Sequence, residues 1–331
     1  MATNTLAAPV KPGEVRTAIT LQDRFSRSVA PYLMYGIFAA LIILFSILSP
    51  VFFSASNFLN IGQQTALVTI IAVGMTFVII SGEIDLSVGA SMALSGVATA
   101  MAMQATGGSL LVGVVVGVAV GASIGLANGL ITTGLGIPSF LVTLAMLGIA
   151  RGLALMLSEG QPVIITNPVF WDLFNSALIF GIPVPMIWTA IVLLIGAYLL
   201  HASAYGRRVY AVGGNRQAAR YSGILVNRVK IWAFVLTGAA AGFAGLIWTA
   251  RAQAARPDVG GGMELDVIAA VILGGTNLFG GRGMIIGTLV GSLLIGVINN
   301  GLTLMGVSSS AQMMVKGAII IIAVALSARR K

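Results

Sequence analysis

The chain has 331 residues, of which 58% are hydrophobic and 8% are charged, and its mean hydropathy is +1.02. A water-soluble domain carries about 25% charged residues, so this composition excludes a soluble globular protein. Cysteine is absent and His201 is the single histidine, which excludes disulfides, thiol catalysis and a cysteine- or histidine-ligated metal. The net charge of +9 would suggest nucleic-acid binding in a soluble protein. In a membrane protein the placement of these charges predicts orientation instead.

Apolar segments of about 20 residues, the length that crosses a bilayer, recur along the chain and predict an all-α polytopic membrane protein. Residues 1–30 form a polar N-terminal arm. The apolar run that follows lacks the cleavage site of a signal peptide and begins a single transmembrane domain over residues 31–331. Residues 52–62 are too short and polar to span, and we expect them to lie at the membrane interface. About ten spanning helices are predicted, at residues 31–49, 64–81, 87–105, 109–133, 139–157, 185–201, 230–252, 266–279, 284–305 and 309–327.

Basic residues predict the orientation of these helices, because Lys and Arg accumulate in cytoplasmic loops. One basic cluster lies in the N-terminal arm, a second in residues 203–230, and a third comprises Arg329, Arg330 and Lys331. Six predicted helices separate the first two clusters and four separate the last two. All three clusters, and therefore both termini, can then be cytoplasmic. Residues 158–183 contain no Lys or Arg, as expected of an external loop.

Short sequences recur at an offset of about half the chain. ANGL at residues 127–130 returns as NNGL at residues 299–302, and Glu83-Ile84-Asp85 returns as Glu264-Leu265-Asp266. The offset matches the second to fourth predicted helices with the seventh to ninth. A unit of five helices crosses the membrane an odd number of times, so its second copy must be inverted. We therefore predict a 5+5 inverted repeat, an arrangement in which many transporters place their pathway at the repeat interface.

The segment SGEIDLSVG at residues 81–89 places Glu83 and Asp85 between long apolar stretches. A carboxylate within a membrane segment is costly and usually faces the bundle interior or a water-filled path. One interpretation is structural: Asp85 or Ser81 caps the next helix by accepting backbone N–H bonds. The other is a broken helix whose carboxylates line the pathway. We favour the structural interpretation.

Other polar residues within the apolar helices are also candidates for a pathway or a gate. Arg151 is a basic residue inside an otherwise apolar helix. It either extends towards the external interface, which we favour, or pairs with Glu83, Glu159 or Glu264. The asparagines are more suited to hydrogen bonding between helices than to contacting substrate. The complete set of pathway or gate candidates is Glu83, Asp85, Asn128, Arg151, Glu264, Asp266, Asn299 and Asn300.

Residues 203–230 are too polar to span a membrane and carry five arginines and a lysine. Gly213, Gly214 and Asn215 predict a turn, after which residues 216–221 form a short helix that ends near Gly223. A short cytoplasmic helix held between two membrane helices can pass force from a soluble partner into the bundle. The alternative is an ordinary basic loop, and composition alone leaves both open.

Three long stretches, in the same order along the chain, resemble the permease subunit of ribose-type sugar ATP-binding-cassette (ABC) importers. They are SGEIDLSVGASMALSG (81–96), YGRRVYAVGGNRQAARYSGI (205–224) and ELDVIAAVILGGTNLFGGRGMIIGTLVGSLLIGVINNGL (264–302). The similarity extends over about residues 31–327 and does not cover the N-terminal arm.

The resemblance implies a permease domain that pairs with a second copy or a sister chain in the bacterial inner membrane. Two ATP-binding subunits, often fused in one chain, would dock below it, and a periplasmic binding protein would deliver the sugar. ATP and Mg²⁺ would bind the partner ATPase, so this chain needs no cofactor and is not itself an enzyme. The coupling residues implied by the resemblance are Gly206, Gly213, Gly214, Asn215, Ala218, Ala219, Ser222 and Gly223.

The chain itself contains no GxxxxGK[ST] phosphate-binding stretch, which agrees with an ATPase on a separate subunit. Three other classes remain for comparison. A permease for branched-chain amino acids would have a similar architecture, and an ion-coupled secondary transporter would also have inverted repeats but no coupling loop. A membrane-embedded enzyme would need clustered Asp or His, which the chain lacks. The identity of the sugar stays open.

Overall fold

The computed structural model describes the backbone of residues 36–328. The predicted N-terminal arm and the basic residues at positions 329–331 lie outside the described residues. Helices dominate the described range: α1 Gly36–Leu48, α2 Ala55–Ile80, α3 Val88–Ala105, α4 Leu110–Leu135, α5 Ser139–Leu157, α6 Pro168–Trp171, α7 Val184–Ala197, α8 Ala204–Gly214, α9 Arg216–Tyr221, α10 Val226–Ala252, α11 Met263–Leu273, α12 Ile285–Leu304 and α13 Ser309–Ala328. Two π-helical segments, Asp172–Ser176 and Tyr198–Ala202, continue α6 and α7.

A helix occupies each of the ten segments in which the sequence predicts a membrane span. Within residues 36–328, seven helices are long and apolar enough to cross a membrane, namely α2, α3, α4, α5, α7 with its π extension, α10 and α12. The prediction of an all-α polytopic membrane protein is confirmed. The count of ten spans and the cytoplasmic placement of the termini stay predictions, because α11 has only 11 residues and α1 and α13 are not among these seven helices.

The predicted start of the second helix at residue 64 is wrong, whereas the interfacial location of residues 52–62 stays a prediction. Helix α2 begins at Ala55, where the Ser54 side chain accepts the backbone N–H of Asn57 at 3.3 Å. Asn57, one of the polar residues of this segment, has hydrogen-bond partners inside the protein. The Asn57 side chain donates to the carbonyl of Phe52 at 3.0 Å and to Asn300 at 2.9 Å. A continuous helix is therefore possible from Ala55 onwards.

Two short antiparallel pairs organise the loops at one end of the bundle. Strand β1 (Val163–Ile164) pairs with β4 (Ala254–Ala255), which joins the loop after α5 to the loop after α10. Strand β2 (Leu178–Ile179) pairs with β3 (Ile182–Pro183) in a hairpin before α7. These loops lie at the end of the bundle opposite to α8 and α9.

Helices α4 and α10 approach each other through glycine. Glycine occurs at every fourth position of α4 from Gly113 to Gly129, so these residues lie on one face of the helix. A Cβ atom added to Gly121 would lie 2.2 Å from the Gly238 carbonyl oxygen, and one added to Gly238 would lie 2.2 Å from the Gly121 carbonyl oxygen. Such spacing permits contact between backbones, which is how helices associate in lipid without a hydrophobic driving force.

The contact between α2 and α12, unlike that between α4 and α10, is polar. Thr69 bonds to Ser292 and Thr76 bonds to Thr288, both at 2.8 Å, and Asn57 and Asn300 exchange two amide hydrogen bonds of 2.9 Å each. The hydroxyls of Thr69, Thr76 and Thr288 also donate to the carbonyls four residues earlier in their own helices. The polar groups of these pairs therefore have hydrogen-bond partners within the protein.

The glycine contact can be tested with two substitutions in α4. Gly121→Ala forces α4 and α10 apart, and we expect a loss of about 1–3 kcal/mol, as for overpacked cores. Gly134→Ala has nothing within 4 Å of the new methyl group and should be neutral or stabilising. Thermal unfolding of the two purified variants in mild detergent measures the difference. Equal melting temperatures would show that the close approach does not support the fold.

Candidate functional site

The segment between α7 and α10 forms two short helices with a single residue between them. Asn215 starts α9, and its side-chain oxygen accepts the backbone N–H groups of Gln217 at 3.0 Å and Ala218 at 2.9 Å. The predicted helix at residues 216–221 is confirmed. The predicted turn is shorter than expected, since Gly213 and Gly214 belong to the end of α8.

Helix α8 is fixed to the bundle along one side. The Tyr205 ring stacks on Phe77 of α2 with a centroid separation of 6.0 Å, and its hydroxyl donates to the Val229 carbonyl at 3.1 Å. The Tyr210 hydroxyl donates to the Gly283 carbonyl at 2.7 Å, and burial raises the pKa of this phenol. Gly206 is closed in as well, because a Cβ there would lie 1.9 Å from the Leu200 carbonyl oxygen.

Helix α9 differs from α8 because most of it is exposed. Tyr221 is 81% exposed, whereas Ala219 is buried and holds the helix against the protein. Ser222 ends α9 with a hydroxyl that donates to the Ala218 carbonyl at 3.0 Å, and Gly223 follows with φ +79°. The exposed residues of this segment make up what we call the α9 surface: Gly214, Asn215, Arg216, Gln217, Ala218, Arg220, Tyr221 and Ser222.

A glycine junction connects α8 to both halves of the chain. The Ile80 carbonyl at the end of α2 accepts the N–H of Gly281 at 2.9 Å, and a Cβ on Gly213 would lie only 1.7 Å from the same carbonyl oxygen. Gly280 and Gly281 have φ values of +89° and +78°, which other residues adopt only with strain. The end of α8 therefore contacts the end of α2 and the turn between α11 and α12 directly.

An ion pair beside this junction joins Glu83 to Lys230. The Lys230 ammonium donates to the Glu83 carboxylate, and the two side chains are only 6% and 13% exposed. The pair connects the loop after α2 to the second turn of α10. The idea that Glu83 pairs with Arg151 is therefore wrong. The sequence analysis did not predict this role of Lys230, because the residue lies at the end of the basic segment 203–230.

Asp85 is buried directly before α3. Its carboxylate accepts the Ser87 N–H at 2.9 Å, the Ser87 hydroxyl at 2.6 Å and the Asn128 amide at 3.5 Å. Asn128 also donates to the Ser87 hydroxyl at 2.9 Å. These contacts fit the structural interpretation of Asp85, which stabilises the turn into α3 and fastens it to α4.

Arg151 extends from α5 to the loop after α10. Its guanidinium donates to the Pro257 carbonyl and interacts electrostatically with Glu264 and Asp258. A hydrogen bond from Arg256 lowers the pKa of Asp258, so this carboxyl stays ionised at neutral pH. Glu264 lies in the first turn of α11 next to Gly89. The interaction with Glu264 agrees with the alternative interpretation of Arg151, and its extension towards the external interface stays a prediction.

A cavity of about 480 Å³ opens between α2, α10, α11 and α12, at the end of the bundle opposite to α8 and α9. We call it the α11 cavity. A second cavity of about 30 Å³ adjoins it and shares Gln64, Val68 and Asn299. Of the predicted residues, only Asp266 and Asn299 meet in the α11 cavity. Its lining comprises Gln64, Leu67, Val68, Trp248, Arg251, Ala252, Met263, Asp266 and Asn299.

Three of the residues that line the α11 cavity carry a buried polar atom with no hydrogen-bond partner among the described residues. These atoms are Trp248 Nε1, Asp266 Oδ1 and Asn299 Oδ1. The other carboxylate oxygen of Asp266 accepts from Lys316 of α13 at 2.8 Å. Asn300 does not contribute, because it is engaged with Asn57 on the far side of α12.

The other members of this cavity cannot be identified from the sequence alone. Trp248 is of a residue type that is common at membrane interfaces. Gln64 and Lys316 had no predicted role. Only their position relative to Asp266, which the fold provides, distinguishes them. Within residues 36–328, no three residues among His, Cys, Asp and Glu come together in a way that could hold a metal ion.

Comparison with known proteins defines the class. A family described as "Branched-chain amino acid transport system / permease component" matches residues 57–324, and the chain belongs to this family. The chain is 47% identical over 310 residues to the ribose import permease protein RbsC of Bacillus subtilis (strain 168), covering 93% of this chain and 95% of the relative. It is 40% identical to the D-allose transport system permease protein AlsC of Escherichia coli (strain K12), covering 89% and 90% respectively.

A third relative is the L-arabinose transport system permease protein AraH of Escherichia coli (strain K12). The identity is 40% over 300 residues, covering 91% of each chain. No solved structure matches the chain. The family named for amino acids thus includes close relatives of this chain that are named for sugars.

Removing one partner of the Glu83–Lys230 pair tests how far it supports the site. Glu83→Gln leaves a buried ammonium without a counter-charge, a change that costs about 3–5 kcal/mol in buried pairs. Adding Lys230→Met should restore most of that loss, because both charges are then removed. Thermal unfolding in detergent compares the two variants with Asp258→Asn, which breaks an exposed pair and should have no effect. A double variant as unstable as the single one would contradict this account.

Proposed function

We propose that the chain is the membrane-spanning subunit of a bacterial ABC importer that carries a ribose-like monosaccharide inward by alternating access. Three close relatives are named as permeases for ribose, allose and arabinose, and each match covers about nine-tenths of both chains. The fold adds a reason of its own, since it combines a membrane bundle with an exposed helical segment fastened to it. That segment suits a protein that is driven by a partner.

We further propose ten spanning helices in a 5+5 inverted repeat, with both termini in the cytoplasm. The pairing of helices supports the repeat: α4 packs on α10 and α3, while their proposed counterparts α12, α2 and α11 pack on one another in the same way. Basic residues support the orientation, because five arginines lie between residues 203 and 228, around α8 and α9. The α11 cavity then opens on the external side.

The α9 surface is the proposed docking site for the ATPase. Asn215 preorganises α9, and the contacts that fix one side of α8 to the bundle would pass a force applied to this segment into the bundle. Through the glycine junction, movement of α8 would be passed to α2 and to the turn between α11 and α12. ATP and Mg²⁺ would bind to the partner, which would hydrolyse the ATP and would carry two ATP-binding domains, either in one chain or in two. A periplasmic binding protein and a second permease chain complete the proposed assembly in the inner membrane.

The competing functions find less support. A branched-chain amino acid permease agrees with the name of the family, but the relatives reported above are named for sugars. A secondary transporter driven by ions would not need the α9 surface. The α11 cavity also lacks a free pair of carboxylates, since Asp266 is already bonded to Lys316.

A bulky residue at Gly214 tests the docking proposal. No atom lies within 4 Å of a Cβ at this position, so Gly214→Leu should leave the permease folded while obstructing the α9 surface. We expect at least a tenfold loss of sugar uptake and less ATPase in pull-downs of the tagged chain. Gly134→Leu, which is also free of close contacts, is the matched control. Normal uptake by Gly214→Leu would remove the coupling role from this segment.

The class of transporter is tested by purifying the tagged chain in mild detergent from its own host and identifying its partners by mass spectrometry. We expect an ATP-binding subunit to be recovered with the chain. A chain purified without an ATPase that still transported in ATP-free proteoliposomes would contradict the proposal.

A further inference from the structure

We propose that the β2–β3 hairpin is a membrane anchor, whose tip at Phe180 enters the lipid headgroup region of the leaflet opposite to α8 and α9. The anchor depends neither on the cargo nor on the energy source, because it concerns how the chain sits in its bilayer. The apolar surface of the hairpin, the backbone of Phe180 and the short distance to a spanning helix support this role.

The hairpin exposes apolar side chains on both of its faces and at its tip. Ile179 pairs with Ile182 on one face, and Leu178 pairs with Pro183 on the other. Leu178, Ile179 and Ile182 are between 43% and 64% exposed, and Phe180 at the tip is fully exposed. Antiparallel strands that face water normally have a polar face, so a hairpin that is apolar all round indicates a neighbour other than water.

Phe180 has a backbone conformation that is unfavourable for a bulky residue. The two residues of the turn, Phe180 and Gly181, have φ values of +54° and +80°, as in the type I′ turn of a hairpin. Asn or Asp normally precedes the glycine of such a turn, whereas a bulky side chain there is strained. Because the ring is fully exposed, it gains no packing within the described residues that would offset this strain. A contact outside the chain is the remaining source of compensation.

The hairpin lies beside the membrane boundary. The spanning part of α7 begins at Val184, so at about 3.3 Å per strand residue the Phe180 tip is within about 13 Å of it. Residues 173–200 contain no Asp, Glu, Lys or Arg, so no charge separates the hairpin from the span. Trp188, one turn into α7, donates its indole N–H to the Leu173 carbonyl at 2.8 Å, and tryptophan is enriched at membrane interfaces.

The backbone of the hairpin determines how deeply it can enter. Each strand pairs only with the other, so each has an outer edge whose polar groups need water or lipid headgroups. Open sheet edges do not occur in the hydrocarbon core of a membrane, where no water can bind them. The hairpin therefore suits the headgroup region, with the Phe180 ring nearest to the acyl chains.

A soluble protein is the alternative partner for these apolar side chains. Residues 177–183 contain no charged group that would steer or orient such a partner. A partner that dissociates would also leave the apolar hairpin in water, whereas lipid covers it at all times. Lipid is therefore the favoured occupant.

The chain contains no cysteine, so a single spin label can report the depth of the tip. Phe180→Cys is labelled in the full chain, purified with its bound subunits and reconstituted in liposomes. Collisions of the label with oxygen, which concentrates in lipid, are compared with collisions with a water-soluble nickel chelate. Leu194→Cys, 72% exposed on α7, is the control for the hydrocarbon core. Gln161→Cys, exposed in the loop after α5, is the control for water.

We expect the ratio of oxygen to chelate collisions at position 180 to be at least threefold higher than at position 161 and lower than at position 194. A ratio equal to that at position 161 would place the tip in water and overturn the anchor. Few collisions with either reagent would show that protein covers the tip, which would overturn the anchor as well.

A second pair of variants tests whether Phe180 itself holds the hairpin in the membrane. With the label moved to Ile179→Cys, Phe180→Asn removes the apolar tip but suits the positive φ, so the turn stays folded. It should lower the oxygen-to-chelate ratio at position 179 at least twofold, whereas Phe180→Trp should preserve that ratio. An unchanged ratio with Phe180→Asn would remove the anchoring role from Phe180. Because no readout involves uptake, failure of the anchor leaves the proposed function untouched.

Discussion

The contact between the backbones of α4 and α10 is the constraint on which the other arrangements depend. Lipid gives apolar helices no reason to associate, so the bundle is held by backbone contact at glycine and by hydrogen bonds between helices. At Gly121 and Gly238 the two backbones are so close that neither position has room for a Cβ atom. The counterpart contact between α2 and α12 uses paired hydroxyls and amides instead. Each of these two contacts joins a helix from the first half of the chain to a helix from the second half.

Helices α2 and α10 connect the α11 cavity with the region of the glycine junction and the Glu83–Lys230 pair. Helix α2 contains Gln64, which lines the α11 cavity, and Ile80, which lies at the glycine junction. Helix α10 contains Trp248, which lines the same cavity, and Lys230, which pairs with Glu83. Both regions therefore lie on the same two rigid elements, at their opposite ends. A displacement of α8 would change the contacts of Ile80 directly. Two-state movement of α2 and α10 would join ATP use to sugar passage without any chemistry in this chain.

The sequence predicts the helices well, because apolar length and charge asymmetry follow from the membrane itself. It predicts the short helix of residues 216–221 from its flanking Gly and Asn residues. It could not predict the partner of Glu83, since Lys230 lies 147 positions away and only the packing of α10 brings them together. It also placed the start of α2 too late, because the partner that satisfies Asn57 is on α12. Asp266 and Asn299 were recognisable as unusual residues in apolar helices, whereas Trp248 became significant only beside them.

The central claim is that transport through this chain is driven by ATP on a partner subunit. The most direct test is uptake of radiolabelled sugar into proteoliposomes that contain the purified complex, with the binding protein and sugar outside. ATP, a non-hydrolysable analogue, or a proton or sodium gradient is supplied in separate preparations. The account predicts accumulation with ATP alone. Accumulation driven by an ion gradient in the absence of ATP would contradict it.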